Sequence, residues 1–132
     1  MFEEQVGKVI TCRNGANVNT IYKWQITRSA PSLPKGWTWK PALSPSKALF
    51  YKYLNWRDKN KWPIMWPEYV RIFNEDALCA EFQEGLDQAV NVLLHGNDLA
   101  ISCFCQIETQ CHRSLVKPMI EERLSSVLRR ID

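Results

Sequence analysis

Read for the spacing of its apolar positions, the chain divides into short strand-like runs and longer stretches of helical period. "VGKVITC", Val6 to Cys12, is a short apolar run closed by the Asn-Gly turn chemistry of "RNGAN", and it predicts a first strand. "IYKWQIT", Ile21 to Thr27, is β-branched and aromatic and predicts a second. From Arg28 to Ser46 the pattern lapses, because Pro31, Pro34, Pro41 and Pro45 fix φ and remove backbone donors; no regular structure is expected there. "SKALFYKYLN" predicts a helix capped by Ser44 or Ser46, and "WPEYVRIFNE", from Trp66, predicts another with Pro67 in its first turn. The clearest helical period runs from Asp76 to Leu94, where Leu78, Phe82, Leu86, Ala89, Val90 and Leu93 recur at three- and four-residue spacing and Gly96 supplies a left-handed stop. "DLAISC", Asp98 to Cys103, is nearly continuous in apolar residues, as expected of a strand buried on both faces. A last helix is predicted from about His112 to Ile131, with Val116, Ile120, Leu124 and Val127 on one face. Pro118 falls inside it, so this helix either starts after His112 or kinks.

Strands alternating with helices predict an α/β fold: a small, mostly parallel sheet of about three to four strands flanked by helices, in a single domain over residues 1–132. A length of 132 residues suits one core and is too short for two. The apolar runs fall well short of the ~20 residues that span a bilayer, so no membrane partner is expected. The start "MFEEQVGKVI" lacks the basic-then-apolar form of a secretory signal. With an odd five cysteines, this points to a cytoplasmic protein whose thiols are reduced. Oligomeric state is left open.

Charge changes the picture more than composition does. The net charge is +3, but the segment from Lys35 to Trp66 carries seven basic residues against one acid, or +6, which leaves −3 for the remainder. The same segment holds Trp37, Trp39, Trp56, Trp62 and Trp66, five of the six tryptophans. Lysines interleaved with tryptophans suit a nucleic-acid surface, with Trp37, Trp39, Lys59 and Lys61 as contact candidates. The competing account packs the rings as a lid over the sheet, with Trp62 and Trp66 in the core.

The chemistry concentrates in "ISCFCQIETQCHRS", Ile101 to Ser114. Ligands of open α/β sheets bind at the carboxyl ends of the strands, where Cys103 and Cys105 fall. Cys111, His112, Arg113 and Ser114 then open a helix, whose free amides and dipole favour an anion and lower the pKa of a neighbouring thiol. Cys111 and His112 are therefore the candidate nucleophile and acid/base. Arg113 and Ser114 are the candidate anion ligands, joined across a parallel sheet by Arg13 with Asn14 and by Arg28 with Ser29. A zinc site on Cys103, Cys105, Cys111 and His112 is the rival reading. It is set aside because the pairs are C-x-C and adjacent, whereas structural zinc sites use wider spacing. Neither a metal nor another cofactor is expected. A tyrosine-phosphatase-like loop is absent, since the residue six after Cys105 is Cys111 and not arginine.

The C-x7-C-H-R element, Cys103 through Cys111, His112 and Arg113, resembles the C-terminal signature of the domain of unknown function 488 family. The likeness extends to Arg28-Ser29-Ala30-Pro31 as a strand-ending turn, to Leu43-Ser44-Pro45-Ser46 as a helix opening, and to Trp66-Pro67-Glu68-Tyr69 as a Trp-x-x-Tyr helix, covering about residues 21–119. Members often carry acidic residues soon after the first cysteine, where this chain has Phe104 and Cys105. The resemblance implies a fold and a pocket and names no reaction. The expectation is a Cys-His-Arg anion pocket, in an enzyme or a binder of a small phosphorylated or nucleotide-like ligand. The alternative is a nucleic-acid-binding module using residues 35–66.

Overall fold

The five residues "LAISC" are all buried, and they form the strand about which the molecule is organised. A computed structural model describes residues 6–13, 15–29, 33–103 and 111–131. In it β1 (Val9–Arg13), β2 (Tyr22–Gln25), β3 (Thr38–Trp39) and β4 (Leu99–Cys103) make one sheet in the spatial order β1-β4-β2-β3. Every pairing is parallel. β4 lies between β1 and β2, pairing Leu99 with Val9 on one side and with Tyr22 on the other. A strand flanked on both sides and covered on both faces has no place for polar alternation, which is why its sequence is an apolar run. The common direction brings Arg13, Gln25 and Cys103 to the carboxyl end of the sheet.

Four α-helices accompany this sheet: α1 (Lys47–Asp58), α2 (Trp66–Asp76), α3 (Ala80–Leu94) and α4 (His112–Ile131). Ser46 caps α1, its Oγ accepting from Leu49 N at 3.1 Å and donating to Asp76 Oδ2 at 2.6 Å. One hydroxyl thus closes the start of α1 and ties it to the end of α2. Pro67 sits in the first turn of α2, where a missing N–H costs nothing. The core joins Val9, Trp24, Leu99 and Ile101 of the sheet to Leu86, Val90 and Leu93 of α3 and to Val116 and Ile120 of α4. Each fully buried leucine or isoleucine there contributes roughly 1.5–3 kcal/mol relative to an exposed one.

Two departures from the sequence reading have local causes. The proline-rich segment is not irregular throughout. Thr38–Trp39 adds the edge strand β3, and Pro41–Leu43 forms a 3-10 turn. Lys40 N donates to Gln25 O, pinning the segment to β2 between two prolines. The turn approaches α3 at Gly85, where a Cβ would lie 2.9 Å from Leu43 Cδ2, so the absent side chain sets how close the two elements come. The long helix expected from Asp76 is two helices. Asp76 ends α2, α3 begins at Ala80, and Leu78 is 77% exposed in the corner between them. Gln83 Nε2 donates to Ala77 O at 2.7 Å and holds that corner, a contact the period of Leu78 with Phe82 does not reveal. Gly96, at φ +84°, ends α3 as expected. α4 starts at His112 and ends at Ile131, as the spacing predicts, with Pro118 inside it.

Candidate functional site

α4 begins over the carboxyl end of β4, and its first two residues reach to opposite sides. His112 Nε2 donates to Ile26 O, just beyond β2. Arg113 Nη1 donates to Cys12 O, on β1, at 2.9 Å. The two side chains therefore clamp the strands that flank β4, and both are buried, at 6% and 1% exposure. The carbonyl of Ile26 can only accept, so the His112 proton resides on Nε2 and Nδ1 is bare. That bare nitrogen faces Cys111 Sγ at 3.8 Å. Burial, with some help from the Arg113 charge and against the pull of the Ile26 bond, pushes the His112 pKa down to about 4. The imidazole is neutral at physiological pH and is available as a base or a metal ligand.

Cys103 and Cys111 are joined as a disulfide, with Cα atoms 7.7 Å apart. The sequence reading expected separate reduced thiols. The end of β4 and the start of α4 lie close enough for these two sulfurs to meet, which an odd cysteine count cannot show. Arg113 Nη1 also points at Cys103 Sγ, 3.6 Å away, and Arg113 Nε is buried with no hydrogen-bond partner among the described residues. The ligand atoms of Cys103, Cys111 and His112 all lie within 4.8 Å of one another.

Above this cluster opens a pocket of about 220 Å³. Its floor is Cys103, Cys111 and His112; its rim carries Thr27, Arg28, Ser29 and Arg57; its walls are Phe50, Tyr53, Trp62 and Tyr69. The walls are one end of an aromatic ladder. Tyr53 meets Trp62 edge-on at 4.8 Å, Trp62 meets Tyr69 at 5.4 Å, Tyr69 stacks on Phe73 at 6.1 Å, and Phe73 lies 6.0 Å from the His112 ring. Such edge-to-face and offset pairs are the geometry that ring quadrupoles favour. Arg57 sits over Tyr53 at 5.8 Å. The described lining carries two arginines and no carboxylate, so the pocket is electropositive.

The residues expected to gather here do so only in part. Cys111, His112, Arg28 and Ser29 line the pocket. Arg28 also donates from Nε to Pro45 O at 3.0 Å and from Nη2 to Pro41 O at 3.4 Å. Arg113 lies beneath the floor, turned toward β1, and does not line the pocket. Ser114 folds back on Cys111 O at 2.6 Å, and Arg13 ends β1 with an exposed side chain outside the lining. Trp37 is buried, while Trp39 is 41% exposed and donates from Nε1 to Thr27 O at 2.8 Å. Lys59 and Lys61 are exposed at the end of α1. Asn14, Ala30, Pro31, Phe104 and Cys105 lie outside the described residues. Sequence reasoning missed Tyr53, Arg57 and Trp62 as pocket residues. Trp62 was assigned to the core, and the signal that could have found it is the density of tryptophan and cation in residues 35–66.

The family model described as DUF488-N3a, the active DUF488-N3 subclade, matches residues 9–124. No curated protein and no solved structure matches the chain.

Proposed function

From the premise that this chain belongs to the DUF488-N3a family, we propose that its pocket binds a nucleotide-like ligand. The base lies against Tyr53 and Trp62, the phosphate meets Arg28 and Arg57, and the end to be recognised or transformed faces Cys111 and His112. The observation that carries the reading is the composition of one lining: flat aromatic walls, two guanidinium groups, no described carboxylate, and a floor of the paired Cys103 and Cys111 with the His112 imidazole. Aromatic faces hold a base by stacking, and arginine matches phosphate oxygens with a planar fork. A purely apolar ligand would make no use of the two guanidinium groups on the rim, and a bare phosphate would leave the rings unused.

A nucleic-acid module built on residues 35–66 draws on the exposure of Lys47, Lys52, Lys59 and Lys61. Its stacking residues are less accessible, since Trp37 is buried and Trp56, Trp62 and Trp66 pack partly against the core. Calorimetric titration with AMP, adenosine and inorganic phosphate tests the preferred reading. AMP binds more tightly than either fragment, and Trp62→Ala and Arg28→Ala each weaken it about tenfold, or ~1.4 kcal/mol. Arg13→Ala leaves AMP binding unchanged. Equal affinity in wild type and Trp62→Ala would sink the reading. Tight binding only to oligonucleotides, falling steeply with salt, would transfer it to the basic segment.

A further inference from the structure

The floor of the pocket offers three soft and borderline ligands to one point. We propose that the protein, in its reduced state, holds one Zn²⁺ on Cys103 Sγ, Cys111 Sγ and His112 Nδ1, with the fourth coordination position turned to the pocket. The sequence argument against zinc was that adjacent residues rarely reach one ion. Here they do: Cys111 precedes the helix, His112 opens it, and Sγ and Nδ1 stand 3.8 Å apart. Ligand atoms sharing a tetrahedral zinc, at ~2.3 Å for sulfur and ~2.0 Å for nitrogen, lie roughly 3.5–3.8 Å from one another. The three atoms already fall within 4.8 Å, and all three residues are buried.

The backbone agrees. The Cα atoms of Cys103 and Cys111 are 7.7 Å apart, beyond the roughly 4.4–6.8 Å that disulfides usually span. Two thiolates on a common ion stand roughly 3.8 Å apart, farther than bonded sulfurs, and accommodate that wider spacing. Two electrons from a phosphine reductant, with one water supplying both the oxygen of the resulting phosphine oxide and the two protons, convert the disulfide to two thiols. These lose their protons as the metal binds.

The surroundings are those of a metal-bound imidazole. His112 Nε2 donates to Ile26 O, which fixes the ring and leaves Nδ1 as the donor atom. Arg113 Nη1, 3.6 Å from Cys103 Sγ, steadies the thiolate from beneath. Two thiolates and an imidazole select zinc over hard cations such as Mg²⁺ or Ca²⁺. Three protein ligands with an open position facing a ligand-sized pocket is the arrangement of a zinc that acts on a bound molecule rather than one that staples a fold.

Metal content is measured without any nucleotide, so its outcome is separate from that of the ligand reading. Full-length protein is reduced with the phosphine under anaerobic conditions, loaded with Zn²⁺, desalted and analysed for metal by mass spectrometry. One zinc per chain is expected in wild type and in Cys79→Ser, whose exposed thiol is the control. Cys103→Ser and Cys111→Ser lose it, and His112→Gln weakens it at least tenfold. Because a variant can fail to fold, wild type is also loaded with Co²⁺, where sulfur-to-cobalt charge-transfer bands and tetrahedral ligand-field bands are expected. Folded, reduced wild type with no retained zinc and no cobalt–sulfur band overturns the proposal. So does full zinc in the Cys103→Ser/Cys111→Ser double variant.

Discussion

The floor and the walls of the pocket are built in opposite ways. The floor is polar, and its bonds join residues far apart in the chain: His112 to Ile26, 86 positions away, and Arg113 to Cys12, 101 positions away. The walls come from α1, α2 and the turn between them, and Tyr53, Trp62 and Tyr69 touch one another in a ladder of rings. A buried hydrogen-bonding group has few acceptable partners, and its loss leaves another group unsatisfied. A ring in a ladder has several neighbours, each interaction being modest and tolerant of small shifts. The difference teaches that the floor is specified by geometry and fails abruptly, whereas the walls are specified by shape and fail by degrees.

The contrast is most exposed at Arg113. Arg113→Met removes a guanidinium at 1% exposure together with its bond to Cys12 O, so a loss of about 2–3 kcal/mol is expected in urea denaturation. A loss below ~1 kcal/mol would show that the clamp across β4 is dispensable. The second effect is pH dependence. The folded His112 pKa, about 4, lies below the ordinary value of 6.5. Between those values the unfolded chain takes up a proton that the folded chain refuses. The contribution is therefore complete above pH 6.5, is lost as pH falls from 6.5 to 4, and levels off below. In metal-stripped protein it reaches roughly 3 kcal/mol, and the same titration of His112→Gln lacks it.

Smaller effects are expected on the walls. Trp62 is only half-buried, so Trp62→Ala costs about 1–2 kcal/mol, less than the ~3–5 of a fully buried ring. Its larger consequence is the weakened AMP binding. A stability loss comparable to that of Arg113→Met would erase the distinction between the two regions. The smallest effect belongs to Arg71, which pairs with Glu68 and Glu75 on the exposed face of α2. Glu68 is drawn below its ordinary pKa by the Arg71 bond, yet the pair lies at the surface in reach of solvent, and Arg71→Ala leaves the denaturation midpoint unchanged.

Much of the fold was legible because apolar period is a local property. Phe82, Leu86, Ala89, Val90 and Leu93 announced α3, and an unbroken apolar run announced β4. Of the C-x7-C-H-R element, Cys103, Cys111 and His112 line the pocket. The 76–80 corner was hidden because Leu78 keeps helical spacing while a side-chain bond from Gln83 turns the chain. β3 was hidden because its two residues lie between prolines and owe their conformation to β2.

The sequence alone determined the parallel α/β class, the strand that lies at its centre, and the chemical types present at the start of the last helix. Each follows from residues close together in the chain. Only tertiary structure decided what those types face. It turned Arg113 under the floor, paired Cys103 with Cys111, aimed the bare nitrogen of His112 at their sulfur, and stood Trp62 beside them. Spacing along a chain sets which face of an element a side chain takes, but the partner across that face is chosen by packing between distant segments.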